Sequence, residues 1–413
     1  MTDKPAFPTG LSVDAAQARI VEIATKRALP GEKVTLEAAS GRILRADIHA
    51  PQDVPAFVNS AMDGFAVRAS DLPPSGEKPF RLLGQILAGG HAAAEVVTDT
   101  CVRITTGAPL PRGADTVVMK ENAHTDADIV TIASGTSAGA NVRSAGEDYR
   151  AGDLALKRGT RLTPASVGVL ASFGLAEVNV ASRPRALLLT TGDELTPPGE
   201  ALGFGGVYDS NRFSLGSLLQ HHGVDLLRHE RLRDDPAQLC AVLLRAGADA
   251  DIIVSSGGVS AGEADFLPRL LMEIGEVFFW KVRMRPGMPF LFGQIGQAIM
   301  FGLPGNPVSG IATFLNLVKP ALDAMSGAVG PRTPLRARLC GPVFKRHART
   351  DFLRARIECD EAGALWASPL EKQGSGMLRG VAEADALIVV VESVNELAAG
   401  DVVDVIPLPG WPG

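Results

Sequence analysis

The sequence predicts a multidomain α/β plus β protein. It has a central α/β domain, an inserted β domain carried by an extended N-terminal helical domain, and a small C-terminal β-barrel domain. Three observations predict it. The chain has 413 residues, and at about 150 residues per domain that makes three or four domains, each able to bury a core. From residue 185 to about 326, buried apolar runs alternate with helical patterns, as in a largely parallel sheet covered on both faces. On both sides of that stretch, short β-rich pieces alternate with Gly, Pro and Asp turns.

Taken in order, Val13, Ala16, Ile20, Ile23 and Ala24 share one helical face after Ser12 as N-cap, and Pro30-Gly31 ends the helix. Strand-like pieces at 80–88, 102–105, 116–119 and 129–132 make the β domain. Thr163-Pro164 reads as an N-cap with Pro at the first helical position, opening a helix to residue 171. The predicted domains are 1–50 with 142–183 (extended, dimerising), 51–141 (inserted β), 184–326 (α/β) and 327–413 (barrel). Within 184–326, strands are expected at 186–189, 251–255, 277–282, 290–292 and 298–301. Helices are expected at 214–220, 236–246 and 266–274, with a long one from Pro307.

Hydrophobic residues make up 46% and charged residues 21%, and 40 basic against 46 acidic side chains leave a net charge of −6. With no long Lys/Arg run, neither nucleic acid nor an anionic membrane is expected as the main partner. The start lacks a signal-like apolar stretch, and no run of roughly 18 apolar residues occurs, so a cytoplasmic protein is expected. Cys101, Cys240, Cys340 and Cys359 stand singly, without C-x-x-C or a His at zinc spacing, and read as reduced small hydrophobes.

Three predicted strands end in Gly-rich polar segments: Thr190-Thr191-Gly192-Asp193-Glu194, then Ser255-Ser256-Gly257-Gly258-Val259-Ser260-Ala261-Gly262-Glu263-Ala264-Asp265, then Gly302-Leu303-Pro304-Gly305-Asn306-Pro307. Ligands of open α/β sheets bind beyond such ends, and glycines let backbone amides approach an oxyanion. Acids facing an anion need a cation between them, so Glu194, Asp234 and Asp265 point to Mg²⁺. Singly, they also read as a loop acid, a turn residue before Pro236 and a helix N-cap. In Lys281-Val282-Arg283-Met284-Arg285, period-two alternation would put three cations on one strand face, either for an anionic substrate or as a charged edge. A second cluster contains Asp63, Thr106 and Asp148. Each lies in a turn-like segment, and such sets on two domains make sense if the domains meet across a cleft or a dimer interface.

With these residues in place, the whole chain resembles the molybdopterin molybdenumtransferases, the MoeA and gephyrin E-domain family. SAMDGFAV, TTGAPLP, NVRSAGED, TTGDEL, RDDP, SSGGVSAGEAD, GLPGNPVSG and QGSGM occur in the family's order. The resemblance implies a molybdopterin-binding-like central domain and an elongated homodimer whose site lies between that domain and the partner's inserted domain. The implied reaction takes adenylylated molybdopterin and molybdate to molybdenum-molybdopterin, AMP and water, with Mg²⁺ assisting. Molybdenum ends on the substrate's own dithiolene, so no Cys ligands are needed.

By that resemblance, Asp234 and Asp265 with Glu194 position Mg²⁺, and Lys281 and Arg285 neutralise phosphate or molybdate. Asp63, Thr106 and Asp148 act from the partner's side. Gly257, Gly258, Ser260, Gly262, Gly305 and Asn306 line the substrate site, Pro304 and Pro307 shape its loop, and Arg354 and Ser375 bind molybdate or substrate. The molybdopterin adenylyltransferase and downstream cofactor-handling proteins are the implied partners. One departure is Met288, where the family often has a basic residue, with Arg285 where Lys is common. Two other readings are a non-catalytic scaffold or receptor-binding protein on the same fold, which degenerate acids would favour, and the adenylyltransferase itself. The adenylyltransferase would not need the DGFAV and TTGAPLP segments.

Overall fold

The computed structural model describes residues 7–90, 95–259, 267–329 and 335–411. Its centre is a seven-stranded sheet in the spatial order Thr9–Leu11, Glu276–Val282, Leu291–Ile295, Ala298–Leu303, Ile252–Ser256, Arg185–Thr191, Asp225–Leu232. Leu291–Ile295 runs antiparallel to both neighbours, and the other pairings are parallel. The exception has a local cause. Only Gly296 and Gln297 join Leu291–Ile295 to the next strand, a length that makes a hairpin, whereas a parallel crossover needs about a dozen residues. Ile252–Ser256 and Ala298–Leu303 are buried throughout, as strands covered on both faces must be. One face packs on helices Ser210–His221 and Lys319–Ser326. The other packs on Pro236–Asp249 and Leu267–Ile274.

The N-terminal helix, Val13–Thr25, is capped by Ser12, whose hydroxyl accepts from the Ala15 amide. Its buried face, Val13, Ala16, Ile20, Ile23 and Ala24, joins the core that contains Phe279 and Phe301, and Thr9–Leu11 extends the central sheet. Residues 9–25 therefore pack with the α/β domain, whereas the sequence reading put them in the extended domain. That domain begins with Gly31–Thr35, paired antiparallel to Glu177–Ala181, and continues with Ile48–His49 against Leu154–Leu156. Because the flanking segments pair with each other, the six-stranded sheet between them is an insertion in the chain path. Its order is Thr116–Met119, Gly64–Val67, Thr100–Ile104, Glu77–Ile86, Ile129–Ala133, Ala123–Asp126. Helix Pro164–Ser172 starts at Thr163, whose side chain accepts from the Ser166 amide.

In the last domain, Thr350–Cys359, Leu365–Pro369, Leu335–Leu339, Val402–Pro407 and Ala386–Val390 pair in a ring that closes on itself, a five-stranded barrel. A short strand from the α/β domain, Met284–Arg285, pairs with the barrel at Thr350 and Asp351 and joins the two domains. The four cysteines are free thiols. Only Cys101 fits the expected core hydrophobe fully: burial pushes its thiol up to about 12, while Cys340 and Cys359 are exposed.

Candidate active site

Thr190, Ser256 and Leu303 are register partners on adjacent parallel strands, so three carboxyl ends sit side by side. Beyond them opens a cavity of about 630 Å³. Gly257 has φ +101°, and a Cβ there would stand 2.6 Å from the Thr191 carbonyl oxygen and 2.7 Å from its Oγ1. Only glycine lets the loop cross that strand end so closely. The Gly257 amide donates to the Leu303 carbonyl (3.1 Å) and so braces the loop. Gly258, at φ +71°, also lines the cavity, as do Glu194, Asp234, Pro304, Gly305, Asn306 and Pro307. Ser260, Gly262 and Asp265 lie outside the described residues.

Asp209 and Asn211, which the sequence reading missed, organise the cavity floor. Asp209 is 2% exposed, caps helix Ser210–His221 by accepting from the Arg212 amide, and accepts from Thr190 Oγ1 at 2.7 Å. Burial and the nearby Arg212 keep His229, 3.2 Å from Thr190 Oγ1, below the usual histidine range. Asn211 donates to Ser256 Oγ (2.8 Å) and to the Gly305 carbonyl (2.7 Å), tying two strand ends together. Buried Thr191 Oγ1 and Asn211 Oδ1 have no hydrogen-bond partner among the described residues, polar capacity of the kind a bound ligand satisfies. The start of this helix adds the partial positive charge of its free amides. The sequence signal for Asp209 is weak, because Ser210, Asn211 and Arg212 after it are polar and no apolar spacing marks the helix start.

The barrel contributes Gly376 and Leu378 to the cavity wall. Asn306 donates to Ser375 Oγ (3.1 Å), and the Val308 amide to the Ser375 carbonyl. Arg354, for which the resemblance implies molybdate or substrate binding, is tied to the backbone of its own domain. It is 1% exposed, and its guanidinium donates to the carbonyls of Lys372 (2.8 Å), Gly374 (3.1 Å) and Met377 (3.2 Å). It therefore shapes the turn that seats Ser375.

The expected row of three cations is not formed. Lys281 has φ +63°, which breaks the period-two alternation, and its ammonium lies over the Trp280 ring, 4.1 Å from the centroid. Arg283 turns to both carboxylate oxygens of Glu392, and Arg285 reaches His347 in the barrel (2.9 Å).

In the inserted domain, Asp63 Oδ1 accepts from the Thr106 amide (2.9 Å) and hydroxyl (3.0 Å). These bonds hold its carboxyl below the usual range, with Lys120 and Arg103 adding to the effect. Asn59–Ser60 pairs with Val142–Arg143, which brings the Asp63 turn beside the segment leading to exposed Asp148. None of the three lines the cavity of its own chain.

Three carboxylates line the cavity, Glu194, Asp234 and the buried Asp209 already engaged as a helix cap, and among the described residues no group of three metal-ligating side chains is assembled. That set fits a hard ion that keeps water and takes phosphate oxygens, and it does not fit a closed Cys/His site.

The match to known proteins spans the chain. Residues 11–174 match the MoeA N-terminal region (domain I and II), 187–324 a probable molybdopterin binding domain, and 336–408 the MoeA C-terminal region (domain IV). A molybdopterin molybdenumtransferase of Haemophilus influenzae is 36% identical, over 96% of this chain and 98% of that protein. One from Staphylococcus aureus is 34% identical, over 96% and 95%. Crystal structures of a molybdopterin biosynthesis moeA protein from Pyrococcus horikoshii superpose over 97% of this chain and 100% of theirs. Their TM-scores are 0.83 at 26% identity and 0.79 at 31%.

Proposed function

The chain belongs to the MoeA family of molybdopterin molybdenumtransferases, and from that premise we propose that it transfers molybdenum from molybdate to adenylylated molybdopterin. In this last step of cofactor synthesis, AMP and water leave. The observation that carries the reading is the alignment of three Gly-rich strand ends on one cavity whose wall holds Glu194 and Asp234.

Gly258, Gly305 and the start of helix Ser210–His221 face the pyrophosphate. Asn211 and Asp209 keep those loops in register. Glu194 and Asp234, with Asp265, would hold Mg²⁺, which when bound neutralises pyrophosphate charge. The Arg354-braced turn presents Ser375 beside Asn306, and Lys281 and Arg285 contribute positive charge. Asp63, Thr106 and Asp148 act on the partner's cavity in a homodimer, a placement supported by their exposure and by their absence from the wall of their own. The protein works in the cytoplasm, between the adenylyltransferase that makes its substrate and the proteins that take the finished cofactor. Among the described residues, no helix is long and apolar enough to cross a membrane.

The reading is tested by mixing inactive Asp63→Ala and Asp234→Ala subunits. Sites shared across a two-fold axis recover about one quarter of wild-type molybdate-dependent AMP release after random reassociation. No recovery would overturn the shared site, and full AMP release by Asp234→Ala or Asp265→Ala alone would overturn the metal assignment.

A further inference from the structure

An exposed loop rises from the cavity wall with both feet on it. Glu194 and Leu195 leave the wall, Val207 and Tyr208 return to it, and all four line the cavity. The feet are fixed. Leu195 pairs with Val207 and Thr196 with Tyr208. The Val207 amide donates to the Glu194 carbonyl (2.9 Å), and the Asp209 amide to the Thr196 carbonyl (3.0 Å). The span between the feet is held mainly by itself. The Tyr208 hydroxyl donates to the Glu200 carbonyl (3.2 Å). Among the described residues, the one hydrogen bond made by 201–205 closes the loop on itself, from the Gly206 amide to the Gly203 carbonyl (3.0 Å).

The tip is apolar. Phe204 is fully exposed, and Leu202, Val207 and Tyr208 are each about half exposed, so large apolar side chains crowd seven residues of surface, as at a binding site. Phe204 stands between Gly203 and Gly205-Gly206, with Gly205 at φ +79°, and glycines on both sides let the tip swing at little steric cost. Three residues separate Phe204 from Val207, so its Cα lies within about 11 Å of a wall residue. The wall itself is mostly glycine, proline and polar groups, and among the described residues Tyr208 is its one aromatic ring. Such a wall suits phosphate and a hard ion. A flat ring bound there has one aromatic neighbour in place, Tyr208, and a second on a short tether, Phe204.

We propose that the 197–206 loop is a strap that closes over the loaded cavity and lays Phe204 on a planar heteroaromatic ring of the substrate, in a subsite whose wall is Tyr208. Stacking on an aromatic side chain suits any such ring, because each has a π-face. Burying the Phe204 ring against the ligand removes it from water and so favours the closed strap. The occupant rests on the function proposed above, whose substrate carries two such rings, the pterin and the adenine, one at each end of its pyrophosphate.

The test titrates the full-length protein calorimetrically with AMP, with molybdopterin and with inorganic pyrophosphate, which has no ring. Phe204→Ala is expected to weaken binding of at least one ring-bearing ligand about tenfold, as loss of a base–aromatic stack does, and to leave pyrophosphate unchanged. Phe204→Tyr keeps the stack and is expected to bind as the wild type does. Loss confined to AMP identifies the adenine as the stacked ring, and loss confined to molybdopterin identifies the pterin. Chymotrypsin is expected to cut after Phe204 in the free protein and to be blocked by the same ligand. Unchanged affinity for both ring-bearing ligands in Phe204→Ala overturns the strap. An equal loss of pyrophosphate also overturns it, because that marks a general loosening of the cavity. Protection from chymotrypsin that follows protein concentration and ignores ligand would show the tip covered by a second copy, and overturns it too. Phe204-dependent ring binding without molybdate-dependent AMP release keeps the strap and overturns the proposed reaction.

Discussion

Thr190 and Asp209 are joined by a 2.7 Å hydrogen bond between two almost fully buried side chains. One ends a strand and the other starts a helix, so this bond sets the helix start against the cavity. Asp209→Ala removes a helix cap and leaves the Thr190 hydroxyl without its acceptor. It is expected to cost about 2 kcal/mol, and Asp209→Asn about half as much, measured by urea unfolding.

Gly257→Ala places a methyl 2.6 Å from a backbone oxygen at a φ of +101°. Because the clash is with backbone, the loop must move. The expected result is a fall of about 100-fold or more in kcat/KM, since small displacements of positioning groups have effects of that order. Near-normal turnover would show that the loop is not held as described.

Arg354→Lys retains the charge but not the fork that reaches three carbonyls. Both Arg354→Lys and Arg354→Ala are therefore expected to destabilise the barrel, by about 1–2 and about 3 kcal/mol. A direct anion-binding role would instead let Lys preserve both stability and substrate KM.

His222 stacks on Phe314, and burial pushes its pKa down from 6.5 to about 4. Below the unfolded value the unfolded chain takes up a proton that the folded ring refuses. Stability is then full above about pH 6.5 and falls as pH drops toward about 4, by about 1–2 kcal/mol after allowing for partial solvent contact. His222→Leu is expected to flatten urea midpoints across that window, and an unchanged slope would count against this account.

The parts of the molecule legible in the sequence are those specified locally. Thr163-Pro164 and Ser12 mark real helix starts, and the Gly-rich strand ends do converge. What was hidden depends on distant backbone. Thr9–Leu11 joins a strand far along the chain, and Arg354 meets carbonyls of a turn whose shape no periodicity encodes. Lys281 leaves the row because its positive φ interrupts the alternation, and Arg283 and Arg285 part because a bend at Arg283 separates the strands Glu276–Val282 and Met284–Arg285. Asp209 was missed for a different reason: the apolar spacing of Leu215, Leu218 and Leu219 marks the helix middle, whereas its start at Ser210 is polar.

The most direct measurement is an anaerobic single turnover with adenylylated molybdopterin, Mg²⁺ and molybdate. AMP release is followed together with reconstitution of an apo-molybdoenzyme. The account predicts AMP release that requires molybdate, matches the molybdenum transferred one for one, and disappears in Asp265→Ala. AMP release independent of molybdate, or tight substrate binding with no turnover, would contradict it.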